Sequence, residues 1–151
     1  RDSSVLEFRR VLFRSVVLAE AAKRVVEANH DTAAVLAVEA QIWNAQSENR
    51  GVSSQYVRSI LIDAVTGEVT VTFDEARMSG IPAGATLVYT PYLRSAGGFI
   101  ALVSALDSAT SSGVGVEWGC SSSTNDFARG RGLPALTNAT VPARLAPSEC
   151  R

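Results

Sequence analysis

Lysine, histidine and cysteine are scarce in these 151 residues: Lys23 and His30 occur once each, and cysteine appears only as Cys120 and Cys150. The remaining cations are all arginine, scattered along the chain, and the formal net charge is only −1. Without a basic run, the chain lacks the electrostatic footprint of a protein whose principal partner is nucleic acid. Long apolar runs are missing too. None approaches the roughly 20 residues that cross a bilayer. Arg1 stands where an initiating Met would be, and no small-residue cleavage site follows an apolar core, so the chain reads as a fragment. Two cysteines thirty apart and a lone histidine do not make four metal ligands.

Catalytic constellations are also lacking. Gly-x-Ser-x-Gly is absent, and Ser121-Ser122-Ser123 reads as solvated loop. Gly113-Val114-Gly115 and Gly130-Arg131-Gly132 do not follow a strand and open a helix, as a phosphate cradle would. Glu68, Asp74, Glu75 and Glu117 are spread over strands and turns, with no spacing that pairs two as acid and base. His30 is expected at the surface in a structural role. The reading is therefore of a protein that is not an enzyme and needs no cofactor. Asn138-Ala139-Thr140 fits a glycosylation acceptor pattern, but so short a pattern recurs by chance.

What is present begins with Ser15 to Asn29, a predicted helix rich in Ala and Val, uninterrupted by Gly or Pro, with Ser15 placed to cap it. Glu20, Lys23 and Arg24 form one narrow polar strip. Val16, Val17, Leu18, Ala21, Ala22, Val25, Val26 and Ala28 occupy the rest of the circumference, too much apolar surface for a helix with its back in water. Either it is a central core helix, or it serves its own sheet on one side and other copies of the protein on the other. Residues 1–14 differ in character. Val5, Leu6, Phe8, Val11, Leu12 and Phe13 extend the helical pattern backward, while Arg9, Arg10 and Arg14 make it basic and amphipathic. A membrane-surface helix and an artefact of the terminus are the two readings of that segment.

Asp31 or Thr32 is placed to cap a second helical stretch, Ala33 to Ala45, whose apolar stripe is Val35, Val38, Ile42 and Trp43. Gln46 to Ser54 is polar connector. The period then changes to two. Tyr56 to Ile62 and Glu68 to Phe73 read as strands joined by Asp63-Ala-Val-Thr-Gly67, a hairpin. A third strand is expected over Ala85 to Tyr92, with Pro91 at its end or on an edge. Ser95 to Gly113 is a loop or a short strand. A fourth strand ends at Cys120, with Val114, Val116, Trp118 and Cys120 on one face. Helix first and antiparallel strands after is the order of an α+β domain.

From Ser121 the composition turns to Ser, Asn, Gly and Pro, with Leu133, Leu136, Val141 and Leu145 as the sizeable aliphatic anchors. One cysteine at each end of such a loop reads as a disulfide staple, with two buried free thiols as the alternative. Closure of about 30 residues is worth about 3–4 kcal/mol in the chain-entropy picture. Arg129, Arg131 and Arg144 give the loop modest positive charge. They are candidate surface-binding cations, for salt pairing between subunits or for a receptor or DNA, the last with affinity falling steeply with salt.

Five stretches resemble type IV pilins: Val17-Leu-Ala-Glu-Ala-Ala-Lys-Arg-Val-Val-Glu-Ala-Asn29, Asp63-Ala-Val-Thr-Gly-Glu-Val-Thr-Val-Thr-Phe73, Thr86-Leu-Val-Tyr-Thr-Pro-Tyr92, Val116-Glu-Trp-Gly-Cys120, and the ending Leu145-Ala-Pro-Ser-Glu-Cys-Arg151. More narrowly, the chain is similar to the major pilin subunit of Gram-negative bacteria of the Pseudomonas, Acinetobacter and Xanthomonas kind, from about residue 15 to residue 151. The resemblance implies a helix (15–29) across a four-stranded antiparallel sheet (55–120), an αβ-loop at 30–54, and a disulfide-bounded D-region at 120–150. It also implies a subunit that polymerises with its own copies through the helix, with Val16, Val17, Leu18, Ala21, Val25 and Val26 as assembly residues.

The implied setting is an extracellular fibre, made with the pilus assembly machinery from an inner-membrane-anchored precursor. Twitching motility, attachment to host or abiotic surfaces and DNA uptake are the implied activities. The family's Phe-Thr-Leu-Ile-Glu start and hydrophobic N-terminal half-helix have no counterpart in residues 1–14. A minor pilin, a type II secretion pseudopilin, or a pilin-like DNA- or receptor-binding module would share the same plan.

Overall fold

The computed structural model describes residues 3–108 and 114–151. Helix α1 spans Ser3–Ala28, so the basic N-terminal segment continues the predicted helix rather than forming a separate piece. Ser15 consequently sits mid-helix, its hydroxyl donating to the Leu12 carbonyl at 2.8 Å instead of capping the start. Phe8, Val11 and Leu12 enter the core, and the Phe8 and Phe73 ring centroids lie 5.7 Å apart. At the far end the Asn29 side-chain amide donates to the Val25 carbonyl at 2.9 Å, satisfying an acceptor that the last turn leaves open.

Helix α2 spans Ala33–Asn49, capped by the Thr32 hydroxyl, which accepts from the Val35 N–H at 3.1 Å. Its last turn is not helical: Gln46 is extended, and Ser47, Glu48 and Asn49 follow with φ of 51°, 59° and 69°. The chain therefore reverses sharply where the polar connector was expected to begin. The predicted stripe of α2 is split: Val35, Val38 and Ile42 point outward, and Trp43 points inward. Leu36, Ala40 and Trp43 are buried, whereas Val35, Val38 and Ile42 are exposed. Both triplets have helical spacing, so periodicity alone did not choose between them.

Among the described residues the sheet has five antiparallel strands, one more than the four expected: β1 Val57–Ile62, β2 Val69–Phe73, β3 Thr86–Ser95, β4 Gly98–Ala101 and β5 Val116–Ser121. They lie in the order β1-β2-β3-β4, with β5 on β3 as well. The hairpin forms in register Ile62↔Val69 and Ile60↔Val71. Strand β4 and the short helix α3, Leu102–Ala105, occupy part of the undecided 95–113 stretch; positions 109–113 lie outside the described residues.

Pro91 is not at a strand end. It sits inside β3, opposite Trp118 of β5. On its other side β3 changes partner, from β2 (Tyr89↔Val69) to β4 (Tyr92↔Ala101), so the residue without an N–H stands where that ladder is interrupted.

The molecule has three layers. Ala19, Ala22 and Val26 of α1, all 0% exposed, pack with Ile60, Ile62, Val71, Phe73, Leu87 and Leu93 in the main core. Each such Val, Ile, Leu or Phe contributes about 1.5–3 kcal/mol by leaving water. The opposite parity of β3 meets the C-terminal loop, where Tyr92, Ala128 and Leu133 form a second cluster. A strand buried on both faces carries the near-continuous apolar run Leu87–Leu93.

Candidate assembly face and disulfide-bounded loop

Along α1, the residues opposite the core follow one another at turn spacing. Phe13, Val17 and Ala21 are exposed, Val17 to 60%. Val16, Leu18 and Val25 flank them, half-buried. Val26, named with these as an assembly residue, is instead wholly inside the domain. The polar strip has a structural use. Lys23 pairs with Glu20 at 2.8 Å and lies 4.8 Å above the Tyr89 ring and 5.7 Å from the Trp118 ring. The Trp118 indole N–H donates to Glu27 at 2.8 Å, tying β5 to α1. Burial, with the negative charges of Glu149 and Glu20, pushes the Tyr89 hydroxyl well above the ordinary tyrosine range.

His30 is buried, not at the surface. Its Nδ1 lies 3.2 Å from the Val26 carbonyl oxygen and its Nε2 lies 3.2 Å from that of Val114, bracing the end of α1 against the entry to β5. The structural role stands while the location is corrected. Local pattern does not mark this burial, because one of the two partners, Val114, is 84 positions away.

Cys120 and Cys150 are joined, at a sequence separation of 30. Within the loop, short helix α4 spans Asp126–Gly130, and single 3-10 turns occupy Ala143–Leu145 and Ser148–Cys150. Leu133, Val141 and Leu145 anchor the loop as expected, while Leu136 is exposed. At Gly119 an added Cβ would collide with the Leu133 backbone oxygen, so the loop lies directly on β5 there.

The strongest polar anchor is one of the carboxylates to which spacing alone assigns no partner. Glu68, 2% exposed, accepts from the Thr90 hydroxyl at 2.6 Å, the Thr137 hydroxyl at 2.6 Å, and the Leu136 and Thr137 N–H groups at 3.1 and 3.3 Å. A buried carboxylate needs such partners. This one joins the hairpin, the central strand and the C-terminal loop. Burial first, then the negative charge of Glu68, raises the Tyr92 hydroxyl's pKa above its ordinary value, and that hydroxyl donates to the Pro134 carbonyl at 2.7 Å.

The three candidate surface arginines do not act as one patch. Arg129 donates to Asn125 at 2.9 Å and Arg131 pairs with Glu117 at 3.5 Å, while Arg144 is exposed on the separate 143–145 turn. Elsewhere Arg58 bridges Asp74 and Glu75 at 3.3 and 3.0 Å. The Gly84 N–H and Arg58 hold the Glu75 carboxyl at a pKa of about 2. Among the described residues there is no cluster of metal-ligating side chains, and no helix is long and apolar enough to cross a membrane.

A family model for pilins, the subunits of a bacterial filament, matches residues 12–151. No curated protein sequence matches the chain. Among solved structures, the crystal structure of the type IV pilin of Pseudomonas aeruginosa strain Pa110594 is similar, with a TM-score of 0.85 and 34% identity. The alignment covers 95% of this chain and 97% of that one. Helix, antiparallel sheet and disulfide-closed loop thus agree with the sequence match, and the chain belongs to the pilin family.

Proposed function

We propose that this protein is the major structural subunit of a type IV pilus, polymerising with its own copies through α1 into an extracellular fibre that serves twitching motility and surface attachment. The observation that carries the reading is the outward stripe Phe13, Val17 and Ala21 on the helix whose other side already fills the domain core. Apolar surface left over after a core is complete finds its partner in another molecule. A contact that joins one patch to a different patch on the next copy generates an open helical filament when its rotation does not close a ring. DNA uptake is a weaker extension, since the candidate arginines are dispersed and two of them are engaged within the domain.

The test is fibre assembly by the full-length protein in a pilin-deficient bacterial host, comparing wild type with Val17→Glu and Ala21→Glu. The expected result is a fibre in which this protein is the dominant component, lost in both variants although their monomers keep the disulfide and the melting temperature. Motility and attachment should be lost together with the fibre. Trace incorporation into fibres built from another subunit would replace this reading with that of a minor pilin or pseudopilin. Normal assembly by both variants would remove α1 as the contact.

A further inference from the structure

Among the described residues strand β1 is an edge of the sheet, with β2 as its sole strand partner, and its run Ser59-Ile-Leu-Ile62 is of the kind that recruits another strand when its backbone is left open. Its outward groups are not open. The Ile60 N–H donates to the Arg50 carbonyl at 3.0 Å, and the Ile60 carbonyl accepts from the Trp43 indole N–H at 2.9 Å. At Ile62 the Asn44 side-chain amide does both jobs of a neighbouring strand residue: its Oδ1 accepts from the Ile62 N–H and its Nδ2 donates to the Ile62 carbonyl, each at 2.8 Å.

The backbone that delivers these groups is held in unusual conformations. Ser47, Glu48 and Asn49 are three successive non-glycine residues at positive φ, a state that persists only where the surroundings over-determine it. Gly51 follows at φ +69°, buried, and a Cβ there would strike the Ile60 carbonyl oxygen and come within 2.6 Å of the Trp43 indole nitrogen. The reversal therefore lays the chain against the strand edge at van der Waals contact, and only glycine fits.

We propose that Trp43 to Gly51 is an edge guard: it occupies the pairing groups of β1 that would otherwise accept the β1 edge of a second copy. Self-association is thereby kept off the sheet edge and left to side-chain faces. The guard would operate in the monomer whatever the fibre contact is, so it does not depend on the function proposed above.

The experiment uses the purified protein with its disulfide intact, as Asn44→Ala and as Asn44→Ala with Trp43→Phe, which keeps the aromatic packing but removes the indole N–H. Amide exchange at Ile62 should accelerate at least tenfold in dilute solution. Sedimentation should show concentration-dependent association, and the Ile62 amide should become protected again as the oligomer forms. Adding Val38→Ser and Ile42→Ser, on the outward face of α2, should leave that association unchanged. A variant that stays monomeric at every concentration overturns the proposal, as does association that disappears when Val38 and Ile42 are made polar. If the double variant fails to fold, Asn44→Ala alone decides by the same criteria.

Discussion

A residue that holds the C-terminal loop in place without a covalent link is charged and buried. Glu68 meets four donors from two parts of the chain, β3 and the C-terminal loop, and hydrogen bonds to an ionised acceptor contribute more than neutral ones. Glu68→Ala strands two hydroxyls and two backbone N–H groups, and should cost about 2–4 kcal/mol in urea unfolding with the disulfide kept intact. Glu68→Gln retains the shape but offers one acceptor and turns an NH2 toward donors, so it should fall between alanine and wild type. A loss under ~0.5 kcal/mol for both would show that the anchor is redundant. Nothing in the sequence marks this glutamate. Its partners are 22 to 69 positions away, and only folding brings Thr90 and Thr137 to it.

At the scale of elements, the two helices teach opposite lessons. The all-round apolar character of α1 is legible from composition, and so is the need for two partners. Which residues face which partner is not, and Val26, placed among the assembly residues by resemblance, belongs to the core. Thermal or urea melts should separate the faces: Val26→Ala is expected to cost about 1–3 kcal/mol through lost burial and a residual cavity, whereas Val17→Ala should stay within about 0.5 kcal/mol in the monomer. Equal losses at both sites would reverse the inside–outside assignment. In α2 two triplets share the helical period, and the bulkier aliphatic one, Val35, Val38 and Ile42, points outward. Trp43 decides the orientation, because its indole finds the Ile60 carbonyl as well as apolar cover.

For the whole molecule, the decisive feature is that the sheet is covered on both faces, by α1 on one and by the Ala128–Leu133 part of the disulfide-bounded loop on the other, while Val141, Leu145 and Cys150 of the same loop join the main core with α1. The loop has few large side chains of its own, so its attachment depends on Leu133 and Glu68 beneath it and on Val141 and the covalent link in the main core. Replacing both Cys120 and Cys150 by serine should lower stability by about 3–4 kcal/mol, since the bridge removes loop-closure entropy from the unfolded chain. Hydrogen exchange should then speed up across 126–145 and at Tyr92 before it does in β1 and β2. Uniform acceleration would mean that the loop and the helix-facing core unfold as one unit.

By itself the sequence determined the elements whose causes are local: an apolar helix before residue 30, a hairpin set by period-two alternation around a glycine turn, a strand running through Cys120, and an irregular, twice-cysteine-bounded loop. Family membership was legible for the same reason, because short motifs survive in order along the chain. Tertiary structure alone decided which helical stripe turned inward, why Pro91 is tolerated in a central strand, that His30 and Glu68 are buried, and how Asn44 closes the edge of β1. Each of these depends on a partner many positions distant, and a chain's periodicity records how often a residue type recurs, not what it will meet across the fold.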